Sequence, residues 1–245
     1  MPAMNDNALP EGFRLLAGLL TPERRQTLIA ELATLPPGVA GQRELLDQPW
    51  CHALARWLLA LPQLGDALPA DPVAVQCTFF EKSPERNWLV APHQDLAIPV
   101  AERVEHVALS GWSVKKGRHF VLAPAEVLAQ MLAVRLHLDD ATEADGGLRF
   151  VPRSHRNGVL NDAAARAWRD QVGETPANAL AGDALLMRPL VLHASSKASR
   201  PGGRRRVLHV LFGPSELPFG LHWAHPVKRP GTASFVIQAN PTHAG

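Results

Sequence analysis

The sequence predicts a mainly β fold, a sandwich or a barrel with flanking helices. From Pro72 onward, short runs rich in β-branched and aromatic residues alternate with Gly and Pro turn signals. Before that point the apolar residues recur with helical spacing. With 46% hydrophobic residues in 245, the chain can bury a sizeable core. We expect one domain over 1–245, with helical support over 1–70, a β core over 72–215 and a C-terminal tail over 216–245.

Helices are predicted at four places. Thr21-Pro22-Glu23 is a helix start, with Thr as the N-cap, Pro at the first helical position and Glu near the positive end of the dipole. A second helix is predicted from Arg43 to Ala60, where dense apolar residues indicate burial on most sides. Both should pack against a sheet. Two shorter helices are predicted over Pro124–Met131 and Asp162–Asp170.

Six segments have the composition of β-strands, and turn signals such as Asp145-Gly146-Gly147 and Pro201-Gly202-Gly203 separate them. Many short strands with such turns are typical of a sandwich or barrel. The predicted strands are Val73–Phe80, Val107–Trp112, Val134–Leu138, Leu148–Val151, Ala184–Leu192 and Arg206–Phe212.

Charge and composition exclude several classes of protein. The net charge is +2, from 25 basic and 23 acidic residues, and the only dense basic run is Arg204-Arg205-Arg206, so nucleic acid is not an expected partner. Cys51 and Cys77 are too few for a disulfide framework and have no zinc-site spacing. The N-terminus lacks the features of a secretory signal, and the longest apolar segment, Trp57–Leu61, is far shorter than the roughly 20 residues that a bilayer requires. We expect a cytoplasmic protein, with a monomer favoured and a small molecule as its partner.

His93-Gln94-Asp95 and the distant His193 are the candidate metal ligands. On an extended segment, residues two apart point to the same side, so His93 and Asp95 can bind one ion together. His193 is expected at the end of the strand Ala184–Leu192, a common location for ligand sites in small barrels. Two imidazoles and a carboxylate suit ferrous iron and leave coordination positions open for a chelating cosubstrate and dioxygen. The triplet alone is weak evidence, since it should occur by chance about 0.5 times in a chain of this composition.

Arg205 is the candidate anion-binding residue. Alternation along its strand would direct Arg205, Val207, His209 and Leu211 inward, and a buried arginine needs an anion. A dicarboxylate would supply one through a bidentate contact with the guanidinium. The register is not fixed by the sequence, so Arg204 and Arg206 remain alternatives, as does a solvated strand start.

Five motifs in order carry a family resemblance. They are His93-Gln-Asp95, Gly147-Leu-Arg-Phe-Val-Pro-Arg-Ser-His155-Arg-Asn-Gly158, Gly182-Asp-Ala-Leu-Leu, His193-Ala-Ser195 and Arg205-Arg-Val-Leu-His. Over about residues 75–215 the chain resembles the phytanoyl-CoA dioxygenase family. The resemblance implies a double-stranded β-helix, a jelly-roll or cupin-like barrel, that uses Fe(II), 2-oxoglutarate and O2. It implies that His93, Asp95 and His193 bind iron and that Arg205, assisted by Ser195, binds the distal carboxylate of 2-oxoglutarate.

The chain also departs from the family pattern. The spacing from His193 to Arg205 is one residue longer than expected. The sequence contains no Tyr, so Gln76, Thr78 and Lys82 are the candidates to replace a phenol contact to the cosubstrate, although ordinary strand polarity also explains them. Related halogenases have a small residue where this chain has Asp95. A carboxylate there favours hydroxylation or another oxidation.

Substrate contacts are predicted at Trp88, Trp112 and Arg149. The segment from Leu96 to Leu122 is predicted as a lid, and its basic residues would suit an acidic substrate unless they form a solvated loop. His155 is interpreted as a loop anchor. The fold alone does not identify the substrate.

Two other classes of function remain open on the sequence. One is a cupin-type β-barrel enzyme that needs no 2-oxoglutarate, and the other is a binding or sensing module without turnover.

Overall fold

The fold is described from a computed structural model of residues 6–36 and 41–229. Residues 1–5, 37–40 and 230–245, which include parts of the predicted helical support and most of the predicted tail, lie outside the described residues. Among the described residues the chain forms four α-helices, together with short 3-10 turns. The helices are α1 (Pro22–Ala33), α2 (Pro49–Ala60), α3 (Ala125–Leu128) and α4 (Asp162–Val172).

The strands outnumber the helices, as the sequence predicts. In chain order they are β1 (Phe13–Leu16), β2 (Gly41–Gln42), β3 (Pro72–Lys82), β4 (Val90–His93), β5 (Ala97–Val100), β6 (Ser110–Lys115), β7 (Arg118–Leu122), β8 (Leu132–His137), β9 (Leu148–Phe150), β10 (Thr175–Pro176), β11 (Ala184–Met187), β12 (His193–Ser195), β13 (Arg205–Pro214) and β14 (Val227–Lys228).

These strands form three antiparallel sheets. The large sheet has seven strands in the order β1-β11-β8-β13-β3-β14, with β2 also paired to β3. A four-stranded sheet has the order β10-β9-β12-β4, and a three-stranded sheet the order β5-β7-β6. Within the described ranges, no ladder of backbone hydrogen bonds joins the large sheet to either smaller one, so hydrogen-bonded closure of a barrel is not seen.

The large sheet is buried on both faces. Successive side chains along each strand point to opposite faces and so join different apolar clusters. Leu208, Val210 and Phe212 of β13 pack into an apolar cluster with α1 and α2. The intervening side chains face the smaller sheets, where Leu211 joins a second apolar cluster that includes Phe150 of β9 and Val121 of β7. The helices therefore cover the outer face of the large sheet, and side chains of its inner face line a cavity.

Local signals explain the helices that were predicted correctly. The Thr21 hydroxyl accepts a hydrogen bond from the Arg24 amide at 3.3 Å, and Pro22 begins α1. Asn161 caps α4 in the same way, through the Ala164 amide at 2.9 Å.

Several predicted boundaries were wrong. The helix predicted from Arg43 to Ala60 begins only at Pro49, which has no amide hydrogen to continue the preceding 3-10 turn. The strand predicted over Ala184–Leu192 ends already at Met187, because the chain leaves the large sheet before Pro189, and a separate strand of another sheet begins only at His193. A strand, β1, was missed in the segment predicted as helical.

The segment predicted as a lid is instead a wall. Between Leu96 and Leu122 the chain forms the three-stranded sheet. Its strand β6 overlaps the predicted strand Val107–Trp112 only in part, because β6 begins at Ser110.

None of the helices in the described residues is both long enough and apolar enough to cross a membrane.

Candidate active site

Two histidines meet across the four-stranded sheet. His93, the last residue of β4, is the direct antiparallel partner of His193, the first residue of β12. Their ring centroids lie 4.3 Å apart. Strand pairing thus brings together two side chains that are a hundred residues apart in the sequence.

The chain turn after His93 adds a carboxylate to this pair. Oδ1 of Asp95 lies 3.7 Å from Nε2 of His93, and Oδ2 lies 3.8 Å from Nε2 of His193. One ligand atom from each of the three residues lies within 4.8 Å of the other two. The amide of Asp95 donates to the Pro189 carbonyl at 2.9 Å, which holds the turn against the segment leading to His193.

Gln94, between these two ligands, anchors the turn. It is only 9% exposed, and its side-chain amide donates to the carbonyls of Gly158 at 2.8 Å and Leu190 at 2.6 Å. Its carbonyl oxygen accepts from the Leu160 amide at 2.8 Å. The middle residue of the triplet therefore binds the loops that flank the site, a role the sequence alone did not reveal.

Backbone carbonyls orient both rings. Nδ1 of His93 donates to the Ala91 carbonyl at 2.9 Å, and Nδ1 of His193 donates to the Val191 carbonyl at 3.0 Å. Because a carbonyl only accepts, these contacts leave each neutral ring with its lone pair on Nε2, the nitrogen nearest Asp95.

The pKa shifts of His193 and Asp95 favour the protonation states that bind a cation. Burial lowers the pKa of His193 to about 4, against the opposing effect of Asp95, so the ring is neutral near pH 7. Burial acts to raise the pKa of Asp95, but the neighbouring His193, His209, His93 and Arg135 outweigh it, and the pKa is lowered overall. Two imidazole Nε2 atoms and one carboxylate fit a divalent transition-metal ion such as Fe(II).

Arg205 faces the same cavity, and its two neighbours do not. Arg205 is 4% exposed, and its guanidinium donates to the Gly146 carbonyl, while its Nε has no partner within residues 6–36 and 41–229. Arg204 pairs instead with Glu81 at 2.6 Å, and Arg206 pairs with Asp139 at 2.8 Å, both on the other side of the strand. The alternation predicted for this strand is therefore the one observed.

A glycine is required beside this arginine. Gly146 has φ +66°, and a Cβ there would lie 2.6 Å from the Ser196 carbonyl and 3.1 Å from Nζ of Lys82. The turn signal Asp145-Gly146-Gly147 thus permits the close approach that places the Gly146 carbonyl at Arg205.

Arg135 and His209 also line the cavity, and neither was predicted as a site residue. Arg135 Nη1 lies 3.0 Å from Nδ1 of His209, and the Arg135 Nε has no partner within the described ranges. Burial lowers the pKa of Arg135 to about 10 and that of His209 to about 3. The available signal was a single arginine inside the otherwise apolar run Leu132–Leu136.

Lys82 lies behind the cavity wall. Its side chain is 1% exposed, and Nζ donates to Oγ of Ser195 at 3.0 Å and to the Ser196 carbonyl at 2.6 Å. Burial, followed by repulsion from Arg205, Arg135 and Arg149, lowers its pKa to about 7. Ser195 lines the cavity and Lys82 does not, so Lys82 contacts this part of the lining through its hydrogen bond to Ser195.

Gln76 and Thr78 do line the cavity, and the Gln76 side-chain amide donates to the Thr78 hydroxyl at 2.8 Å. The cavity has a volume of about 450 Å³, and walls from all three sheets enclose it. His93, Asp95, His193 and Arg205 all contribute to its lining.

The sequence model of the family described as Phytanoyl-CoA dioxygenase (PhyH) matches residues 42–207, which include all of these residues. The chain belongs to this family of iron- and 2-oxoglutarate-dependent oxygenases.

Solved structures show the same fold. HygX from Streptomyces hygroscopicus, with nickel, 2-oxoglutarate and hygromycin B bound, is 17% identical, with 84% of each chain covered and a TM-score of 0.56. AviO1 from Streptomyces viridochromogenes Tue57 is 20% identical, with 89% of this chain and 98% of that chain covered and a TM-score of 0.57. The non-heme alpha ketoglutarate dependent carbocyclase SnoK from nogalamycin biosynthesis is 14% identical, with 91% and 84% covered and a TM-score of 0.59. No curated protein matches the chain.

Of the three predicted substrate contacts, only Trp88 lines the cavity. Trp112 is not part of the cavity lining, because its indole packs on the inner apolar cluster with Arg103 over its ring at 5.9 Å. Arg149 is held behind the wall by Glu174 at 2.7 Å and by the Ser196 hydroxyl at 2.6 Å.

Proposed function

We propose that the chain is an Fe(II)- and 2-oxoglutarate-dependent dioxygenase that hydroxylates a small molecule and releases succinate and CO2. The observation that carries the proposal is the convergence of His93, Asp95, His193 and Arg205 on one cavity. A metal triad alone fits many reactions. A buried, inward arginine in the same cavity adds the need for an anionic cosubstrate.

His93, Asp95 and His193 would hold the iron. The carbonyls of Ala91 and Val191 fix each imidazole in the tautomer that presents Nε2. Gln94 holds the turn that carries Asp95, which keeps this carboxylate beside the two imidazoles. When bound, iron and 2-oxoglutarate supply the activation of dioxygen, and the side chains supply position and exclusion of water.

Arg205 would bind the distal carboxylate of 2-oxoglutarate. Its Nε is buried without a partner, and the Gly146 carbonyl orients the guanidinium. Ser195, which accepts a hydrogen bond from Lys82, can turn its own hydroxyl hydrogen toward a carboxylate. Gln76 and Thr78, polar groups on the neighbouring strand that line the cavity, would replace the missing phenol contact.

Hydroxylation is the favoured outcome because Asp95 fills the position that a halide would need. The balanced reaction consumes one substrate C–H bond, O2 and 2-oxoglutarate, and it yields the alcohol, succinate and CO2. One oxygen atom enters the alcohol and the other enters succinate. Since SnoK is a carbocyclase, the wider fold also supports oxidations that leave no oxygen in the product.

We also infer that the two larger sheets form a double-stranded β-helix within a single oxygenase domain. The support is a cavity lined by both sheets, antiparallel pairing throughout, and likeness to HygX and AviO1 over most of each chain.

The test is turnover with isotopic oxygen. Protein loaded with Fe(II) and 2-oxoglutarate should release succinate in air, and under 18O2 that succinate should carry one labelled atom. Asp95→Ala should abolish release. Iron-dependent turnover without 2-oxoglutarate would instead favour the cupin-type reaction, and cosubstrate binding without succinate in any substrate screen would favour a binding module.

A further inference from the structure

The cavity keeps an excess of positive charge when the proposed iron and 2-oxoglutarate are counted with its lining residues. Its charged lining residues are Arg43, Lys115, Arg135, Arg205 and Asp95. Fe(II) and the 2-oxoglutarate dianion cancel each other in formal charge. Four cations against one carboxylate therefore leave an excess of three positive charges in the loaded cavity. A concave surface with low-dielectric walls concentrates such a field and attracts anions.

Two of these cations are exposed to solvent and therefore lie where the cavity opens. Arg43 follows the short strand β2, Lys115 ends β6, and both are exposed. Both also line a smaller recess of about 40 Å³ that continues from the cavity past Gln76 and Phe120. The opening is thus flanked by a guanidinium on one wall and an ammonium on another.

Neither cation is paired with an acid in the described part of the chain. Within residues 6–36 and 41–229, Arg43 and Lys115 have no carboxylate within ion-pair distance, and the only ring contact of Lys115 is with Phe120 at 5.1 Å. Arg118 on the next strand provides the contrast, because it pairs with both Glu44 and Asp47. Arg43 and Lys115 therefore line the cavity without a carboxylate partner among the described residues, unlike the neighbouring Arg118.

A large part of the cavity lining is apolar. Phe120, Leu122, Leu128, Met131 and Leu211 belong to it. A ligand that spans the cavity would place an apolar body against these side chains and any anionic group at the opening.

We infer that the substrate is an amphipathic anion, a carboxylate or phosphate ester whose acidic group binds between Arg43 and Lys115 and whose apolar part reaches the iron. This inference rests on the proposed function. It names the chemical class of the substrate and the two residues that select it.

The experiment compares acids with their neutral amides on the loaded protein. Under anaerobic conditions, with Fe(II) and saturating 2-oxoglutarate, 4-phenylbutyrate and 6-phenylhexanoate are titrated by calorimetry beside their primary amides. The visible absorbance of the iron and 2-oxoglutarate complex is followed in parallel, so that displacement of cosubstrate at Arg205 is recognised. The double variant Arg43→Gln/Lys115→Gln is compared with Arg166→Gln/Lys228→Gln, which removes the same charge from exposed positions outside the cavity lining.

The acid is expected to bind about tenfold more tightly than its amide in the wild type and in the control variant, a preference of about 1.4 kcal/mol. That preference should fall below about twofold in Arg43→Gln/Lys115→Gln. Equal binding of acid and amide in the wild type, no binding of either, or an acid preference that survives in that double variant would each overturn the inference. If the wild type forms no complex with iron and 2-oxoglutarate, the proposed function itself fails. This outcome is distinct from failure of the substrate inference alone, in which the complex forms but the acid preference does not depend on Arg43 and Lys115.

Discussion

His93 and His193 are direct partners in neighbouring antiparallel strands, with ring centroids 4.3 Å apart. The geometry of the metal centre is therefore set by strand register, and Asp95 completes it from a turn held by Gln94. A one-residue slip would turn one imidazole to the opposite face of the sheet. The ligands are preorganised by the backbone, so changes beside them should weaken metal binding even though those residues do not touch the ion.

Gln94→Ala tests this preorganisation. The change removes three hydrogen bonds, one buried and two partly buried, and leaves the carbonyls of Gly158 and Leu190 without this donor. We expect the free energy of unfolding to fall by about 2–3 kcal/mol and the Fe(II) affinity to drop. Urea unfolding of the metal-free protein and iron titration measure the two effects. Gln26→Ala, at an exposed position of α1, is the control, and an unchanged stability in Gln94→Ala would contradict the assigned anchor.

Arg205→Ala should weaken 2-oxoglutarate binding at least about tenfold while Fe(II) remains bound, because the distal carboxylate loses a buried guanidinium. Arg204→Ala and Arg206→Ala, at the two positions adjacent to Arg205, are matched controls, since their side chains pair with Glu81 and Asp139 outside the cavity. Calorimetric titration of 2-oxoglutarate into the iron-loaded protein measures the effect. A larger loss in either control would move the cosubstrate contact to that neighbour.

Lys82→Met should remove a pH dependence of cosubstrate binding. Burial and nearby arginines lower the Lys82 pKa to about 7, so its positive charge behind Ser195 is present below that pH and is lost above it. In the wild type we expect 2-oxoglutarate affinity to decrease as the pH rises through 7. Affinity in Lys82→Met should be lower at acidic pH and should change less across this range. Lys197→Met is the control at an exposed site, and an identical pH profile in wild type and Lys82→Met would rule out the role.

His137→Leu should reduce the loss of stability in acid. Burial, then repulsion from Arg135 and Arg205, lowers the His137 pKa to about 3, and neither ring nitrogen has a partner within the described ranges. In the unfolded chain the ring titrates near pH 6.5, so below that pH the unfolded state binds more protons than the folded state. The resulting penalty is absent above pH 6.5 and grows as the pH falls toward 3. Its slope approaches about 1.4 kcal/mol per pH unit.

Urea unfolding of the metal-free protein at pH 5.0 and pH 7.5 measures this effect. The difference in stability between the two values should be smaller in His137→Leu than in the wild type. His52→Gln, an exposed histidine of α2, serves as the control. An unchanged difference in His137→Leu would contradict the assignment.

The sequence predicted the parts of the site that depend on local pattern. Alternation along β13 predicted that Arg205 and His209 face inward, because a side chain in a strand reverses direction at every residue. The Thr21-Pro22-Glu23 signal predicted the start of α1, because a cap is a contact between near neighbours.

The parts that were missed depend on packing between distant segments. Pro189 ends β11 and sends the chain to another sheet, so His193 begins a strand where the sequence predicted the end of one. Lys82 was predicted to contact cosubstrate, but its place behind Ser195 is set by hydrogen bonds across 113 residues. Arg135 enters the cavity because β8 lies beside β13, a pairing that no local pattern reveals.

The most direct test of the central claim is the visible spectrum of the anaerobic protein with Fe(II) and 2-oxoglutarate. Joint binding at His93, Asp95 and His193 predicts a weak metal-to-ligand charge-transfer band that requires both additions and is absent in Asp95→Ala and His193→Ala. A wild-type protein that binds Fe(II) yet gives no band on addition of 2-oxoglutarate, or a band that persists in Asp95→Ala, would contradict it.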